Sequence, residues 1–71
     1  MMQYVYHINL DERGEFYADV RHPSSDETMI EIHGFDVFET GYMKHKEDVE
    51  GLTEWLQHIH LIREEDEVIM A

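Results

Sequence analysis

Residues 3–21, QYVYHINLDERGEFYADVR, decide the fold of this chain. Successive side chains of a strand point to opposite faces. In the first part Tyr4, Tyr6, Ile8 and Leu10 share one face, and Val5, His7 and Asn9 share the other. Asp11-Glu12-Arg13-Gly14 then reads as a type I turn followed by a glycine in the left-handed region, a short hairpin connection with a bulge. Residues 15–21 return as a second strand with Phe16, Ala18 and Val20 on one face. If Asp11 opposes Glu15, Leu10 opposes Phe16, Ile8 opposes Ala18 and Tyr6 opposes Val20. Every such pair is apolar, and a slip of one residue would turn the whole set toward water.

After the hairpin, His22-Pro23-Ser24-Ser25-Asp26 is a cluster of breakers and reads as a loop. Residues 28–33 alternate again, with Thr28, Ile30 and Ile32 as the expected core face and Met29, Glu31 and His33 on the other. Gly34 marks the exit, and Phe35-Asp36-Val37-Phe38 reads as a short strand or an aromatic-rich turn. Gly41 breaks the chain before Tyr42 and Met43. Residues 46–60 carry the helical signal: Val49, Leu52, Leu56 and Ile59 recur at helical spacing, with Trp55 on the border of the stripe. Glu47 and Asp48 are expected in the first turn, where carboxylates face the positive end of the helix dipole. Gly51 costs about 1 kcal/mol inside a helix, which a close approach of helix to sheet would explain. Glu67-Val68-Ile69-Met70 reads as a terminal strand.

The order β-β-β-(β)-α-β predicts an α+β fold over a single domain, residues 1–71. A small, mostly antiparallel sheet of three to five strands would carry one helix on one face. Size scaling gives such a chain a folded surface of roughly 4,700 Å². That leaves little room for an enclosed active site, and excludes multi-domain enzymes and nucleotide folds with several βαβ units.

Charge narrows the partners. Five basic against 17 acidic residues gives 5 − 17 = −12 with histidine neutral. Direct binding of nucleic acid needs a basic patch that releases counterions from phosphates. The basic residues here are Arg13, Arg21, Lys44, Lys46 and Arg63, scattered apart from the two lysines. Anionic membranes are disfavoured for the same reason, and no stretch reaches the length of a membrane span. There is no cysteine, so disulfides, thiolate catalysis and cysteine-ligated metals are excluded. The N-terminal residues show neither a basic region nor an apolar core of a signal peptide, and the expected location is cytoplasmic.

Six histidines invite a metal reading, but His58 and His60 diverge by about 200° on a helix. Glu54 and His58 have the i, i+4 spacing, yet would need a third ligand, such as His7 or His33 from the sheet. Glu31 and His33 could form an acid–base pair on a strand. No nucleophile triad and no glycine-rich phosphate cradle accompanies it, so the chain does not read as an enzyme and no cofactor is implied.

Aromatic residues in an acidic surround are the stronger lead, because such anchors suit a partner rich in lysine and arginine. Tyr17, Tyr42 and Trp55 are the candidate anchors, with Glu47 and Glu50 as rim carboxylates. The expected function is a small acidic interaction or regulatory domain that binds a basic protein surface, a nucleic-acid mimic being its special case. A homodimer through the sheet face that the single helix leaves bare, carrying Val5, Tyr17 and Met29, is the alternative. A His–carboxylate metal module and a very small enzyme subunit are the contrasting classes.

Overall fold

A computed structural model describes residues 1–33 and 36–71, and its surface measures 4846 Å². The chain forms β1 (Gln3–Leu10), β2 (Phe16–Arg21), β3 (Thr28–His33), α1 (Asp36–Glu39), α2 (Val49–His58) and β4 (Glu67–Met70). The sheet order is β3-β2-β1-β4. Both hairpin contacts are antiparallel, whereas β4 lies parallel to β1. The result is a small α+β fold with a mixed, mostly antiparallel sheet and helical elements against it.

The hairpin register is the one its side-chain pattern demands. Leu10 pairs with Phe16, Ile8 with Ala18 and Tyr6 with Val20, but Leu10, expected on the core face, lies beside the turn and is exposed. The turn closes through Asp11 N–H donating to Glu15 O at 3.0 Å and Gly14 N–H donating to Asp11 O at 2.9 Å. Gly14 has φ 77°, a conformation costly for any residue with a Cβ. Asp11 Oδ1 also accepts from the N–H groups of Arg13 and Glu15, so the turn holds its own carboxylate.

Between β2 and β3 a bulge alters the expected faces. Val20 pairs with Ile30 but Arg21 pairs with Thr28, so Met29 has no partner residue. The extra residue rotates the strand end. Met29, expected on the bare face, packs beside the core, and Thr28, expected in the core, is exposed. Ile32 is buried and Ile30 half-buried, as the alternation requires.

The described part of the segment after β3 is not a strand. Asp36–Glu39 makes one helical turn, while Phe35 and Gly34 lie outside the described residues. Val37 is buried, and the Phe38 ring sits 5.7 Å from that of Phe16. Thr40 Oγ1 donates to Val37 O, and Gly41, at φ 81°, ends the turn. Tertiary contact, not periodicity, makes this turn helical.

α2 is shorter than its apolar pattern. Asp48 is its N-cap: Oδ1 accepts from Gly51 N–H at 3.1 Å and Oδ2 from Lys44 N–H at 3.0 Å. Glu47 and Asp48 therefore precede the first turn, and Lys46 is outside the helix. The C-terminal end comes at Ile59, which is exposed instead of completing the apolar stripe. Its place in the core is taken by Ile62, which the irregular turn after His60 (φ 61°) brings back under the helix.

Gly51 is buried because a neighbour approaches closely, but that neighbour is not the sheet. A Cβ there would collide with the Tyr42 carbonyl oxygen and lie 2.9 Å from the Tyr42 carbonyl carbon. The core beneath contains Tyr6, Ala18, Val20, Leu52, Leu56 and Val68 among its buried side chains. Tyr6 also spans the layer, its hydroxyl donating to Lys46 O at 2.8 Å. Burial, and then the nearby Glu47 carboxylate, push the Tyr6 phenol up to about 12.

Candidate functional site

The expected anchors do not form one surface. Tyr17 stands on the sheet face that carries no helix, half-buried, with its ring 5.0 Å from His33. Partial desolvation, and then the Glu31 and Asp19 carboxylates, raise its phenol above the ordinary value. On that face Asp19 is buried beside Arg21, whose Nε donates to Oδ1 at 2.8 Å and whose Nη2 donates to Oδ2 at 3.2 Å. Tyr42 lies on the helix side, its ring 5.6 Å from His58. Trp55 is half-buried against the core on the α2 flank that also bears Gly51 and His58. Glu50 belongs to the opposite flank, about 140° away at 100° per residue. Glu47 is exposed and sits 3.5 Å from His45 Nδ1.

The residues considered for a metal are similarly dispersed. Glu54 and His58 are both exposed on α2, and line a hollow of about 940 Å³ with Tyr42, His60, Arg63 and Glu65. His7 and His33 cannot complete that pair, because alternation puts both on the far face of the sheet. Among the described residues no three His, Cys, Asp or Glu side chains are grouped to hold a metal ion. Glu31 and His33 are 3.2 Å apart, exposed on the bare face. No helix among the described residues is long and apolar enough to cross a membrane.

What the fold does assemble is a groove of about 550 Å³ between α2 and the outer edge of β4. α2 contributes Val49, Glu50, Thr53 and Glu54, and β4 contributes Glu67, Val68, Ile69 and Met70. The spacing of Val49, Glu50, Thr53 and Glu54 places them on one flank of the helix. Opposite them, β4 alternates: Glu67 N–H donates to Met2 O and Ala71 N–H to Tyr6 O, which turns Val68 and Met70 N–H outward.

That outward edge is only partly covered. Thr53 Oγ1 accepts from Val68 N–H at 3.1 Å, while itself donating to Val49 O at 2.7 Å. Gln57 Nε2 donates to Asp66 O and to Glu64 O, both at 3.2 Å. α2 thus ties down the start of β4 and leaves its last residues at the open edge. Ile69 and Met70 are 37% and 43% exposed there.

Electrostatics separates the carboxylates into two kinds. Asp66, buried just before β4, accepts from Met2 N–H at 2.8 Å and from Arg63 N–H at 3.0 Å. Those two backbone donors, Met2 first, hold its carboxyl below the usual range. The donors from Lys44 and then Gly51 do the same for Asp48. Glu50 and Glu54 in the groove are exposed, and among the described residues neither makes an ion pair or side-chain hydrogen bond. Glu67 is half-buried and accepts from Gln3 Nε2 at 2.7 Å.

Apart from Glu50 and Glu54, the groove residues carry no functional signal in the sequence alone. Thr53 borders an apolar stripe there, and Ile69 lies on the non-core side of a short strand. Neither implies a groove until α2 and β4 are known to be neighbours. No family model, curated protein or solved structure matches the chain.

Proposed function

We propose that this domain works by protein contact, binding a basic protein surface against the acidic flank of α2. One observation carries the reading: among the described residues, Glu50 and Glu54 stand exposed and without ion pairs beside a partly apolar groove whose lining holds no lysine or arginine. Carboxylates serving the fold, such as Asp48 and Asp66, are satisfied by backbone donors instead. Opposite fields speed encounter, and desolvated apolar contact slows release. The net charge of −12 supplies the long-range part, and Val49, Ile69 and Met70 supply the short-range part.

The test is kinetic. A protein captured on the immobilised domain is produced pure, and its association is followed at about 50 and about 200 mM salt, where screening differs. The reading expects a basic contact surface on that protein, an association rate that falls with salt, and a lower rate with Glu50→Gln/Glu54→Gln. An acidic partner, or a rate indifferent to salt and to the double substitution, contradicts it. A dimer through the bare sheet face then becomes the better reading, and sedimentation would show it.

A further inference from the structure

We infer that the groove receives an extended basic segment, laid along the open edge of β4 with an apolar side chain between α2 and the strand. This rests on the proposed binding of a basic surface and specifies the form the partner takes there. Three features of the groove act together. Its floor is apolar, from Val49, Val68 and Met70; its rim is acidic, from Glu50 and Glu54. Its β4 side still has main-chain groups to offer, because strand alternation points Met70 N–H and Val68 C=O away from β1.

Each feature selects part of the occupant. The outward N–H and C=O ask for an extended backbone, as in strand addition at a sheet edge. The space beside Val49 and Met70 takes an apolar side chain. The carboxylates of Glu50 and Glu54, with no lysine or arginine among the lining residues, take lysine or arginine beside it. A second copy of this chain does not fit those terms. Pairing β4 with another β4 would set Glu50, Glu54 and Glu67 against their own duplicates, on molecules that each carry −12.

The occupied edge is short because α2 has consumed the rest. Thr53 takes Val68 N–H and Gln57 takes Asp66 O. The segment therefore gains few main-chain bonds, and the side chains must supply most of the discrimination. A peptide of alternating valine with lysine and arginine should bind better than one in which serine replaces valine, and much better than one in which glutamate replaces the cations.

Those three peptides, fluorescently labelled, are the probes. Each is titrated into the intact domain and followed by amide chemical shifts. The valine–cation peptide is expected to shift Thr53, Val68, Ile69 and Met70, to slow hydrogen exchange at Met70, and to bind about tenfold more weakly to Glu50→Gln/Glu54→Gln. Both glutamates are exposed, so the double variant remains folded. Equal binding of the serine peptide, with shifts scattered over the acidic surface, overturns the groove and leaves the proposed contact function standing. Absence of peptide binding overturns the groove as well. Self-association through β4 overturns it by naming a different occupant.

Discussion

Asp66 and Glu54 are both carboxylates beside β4, and they live in opposite circumstances. Asp66 is buried, with backbone N–H groups of Met2 and Arg63 on its two oxygens. It joins the start of β1 to the turn that launches β4, and so fixes the parallel pairing of two segments 64 residues apart. Glu54 is exposed on the rim of the groove with no ion pair among the described residues. The same chemistry serves the fold where backbone donors converge on it, and is left to the solvent side where they do not. A net charge of −12 therefore does not describe one acidic surface; part of it is structural glue.

The core beneath α2 sets both walls of the groove. Leu56 is fully buried between α2 and the sheet. Leu56→Ala should cost about 2–5 kcal/mol in urea unfolding, the range for a cavity in a packed core. A cost within about 0.5 kcal/mol would mean that α2 does not dock as described.

Gly51 tests the other flank of α2. In an open helix Gly→Ala gains about 1 kcal/mol. Here the added Cβ collides with the Tyr42 carbonyl, so Gly51→Ala should instead lose roughly 1–2 kcal/mol. Thermal unfolding decides the sign, and stabilisation would show that the Tyr42 segment yields freely.

Tyr6→Phe leaves Lys46 O without its donor and should cost about 1 kcal/mol at neutral pH. The phenol is raised from 10.0 to about 12, so its contribution is complete below 10 and is lost as pH rises through 12. Wild type should lose stability across that window and the phenylalanine variant should lose less. At the acid end the sign reverses. Asp66 is held below its ordinary value of 3.8, so its contribution is present above 3.8 and disappears as pH falls through the lowered folded value. Asp66→Asn should flatten that part of the stability curve, and an unchanged acid limb would remove Asp66 from its structural role.

The smallest effect on stability belongs to the groove. Glu50→Gln/Glu54→Gln should move the unfolding free energy by no more than about 0.5 kcal/mol, as for exposed groups without partners.

The legible parts of the fold were those whose partners are close along the chain. Gly14 and the matched alternation of Tyr6, Ile8 and Leu10 with Phe16, Ala18 and Val20 set the β1–β2 register locally. Other features depend on distant contacts. Asp36–Glu39 is too short to show a helical period, and Val37 and Phe38 are held by packing on the sheet. The apolar pattern places the helix start too early because Glu47 and Asp48 suit a first turn, whereas Asp48 gains more by capping Gly51 N–H and bonding Lys44 N–H. The Val20/Arg21 bulge moved Met29 to the core side, which strict alternation cannot express. Parallel pairing of β4 rests on Asp66 meeting Met2 across the whole chain. For the same reason the anchors Tyr17, Tyr42 and Trp55 could be named from their type, but not placed on one surface, and the groove stayed hidden.

The most direct test of the distinction between structural and free carboxylates is one stopped-flow comparison. The valine–cation peptide is mixed with wild type and with Glu50→Gln/Glu54→Gln at about 50 and about 200 mM salt. The account predicts a fast wild-type association that slows with salt, and a slower association for the double variant with a weaker salt dependence, from a domain that melts at the same temperature. Equal rates and equal salt dependence in the two proteins would contradict it.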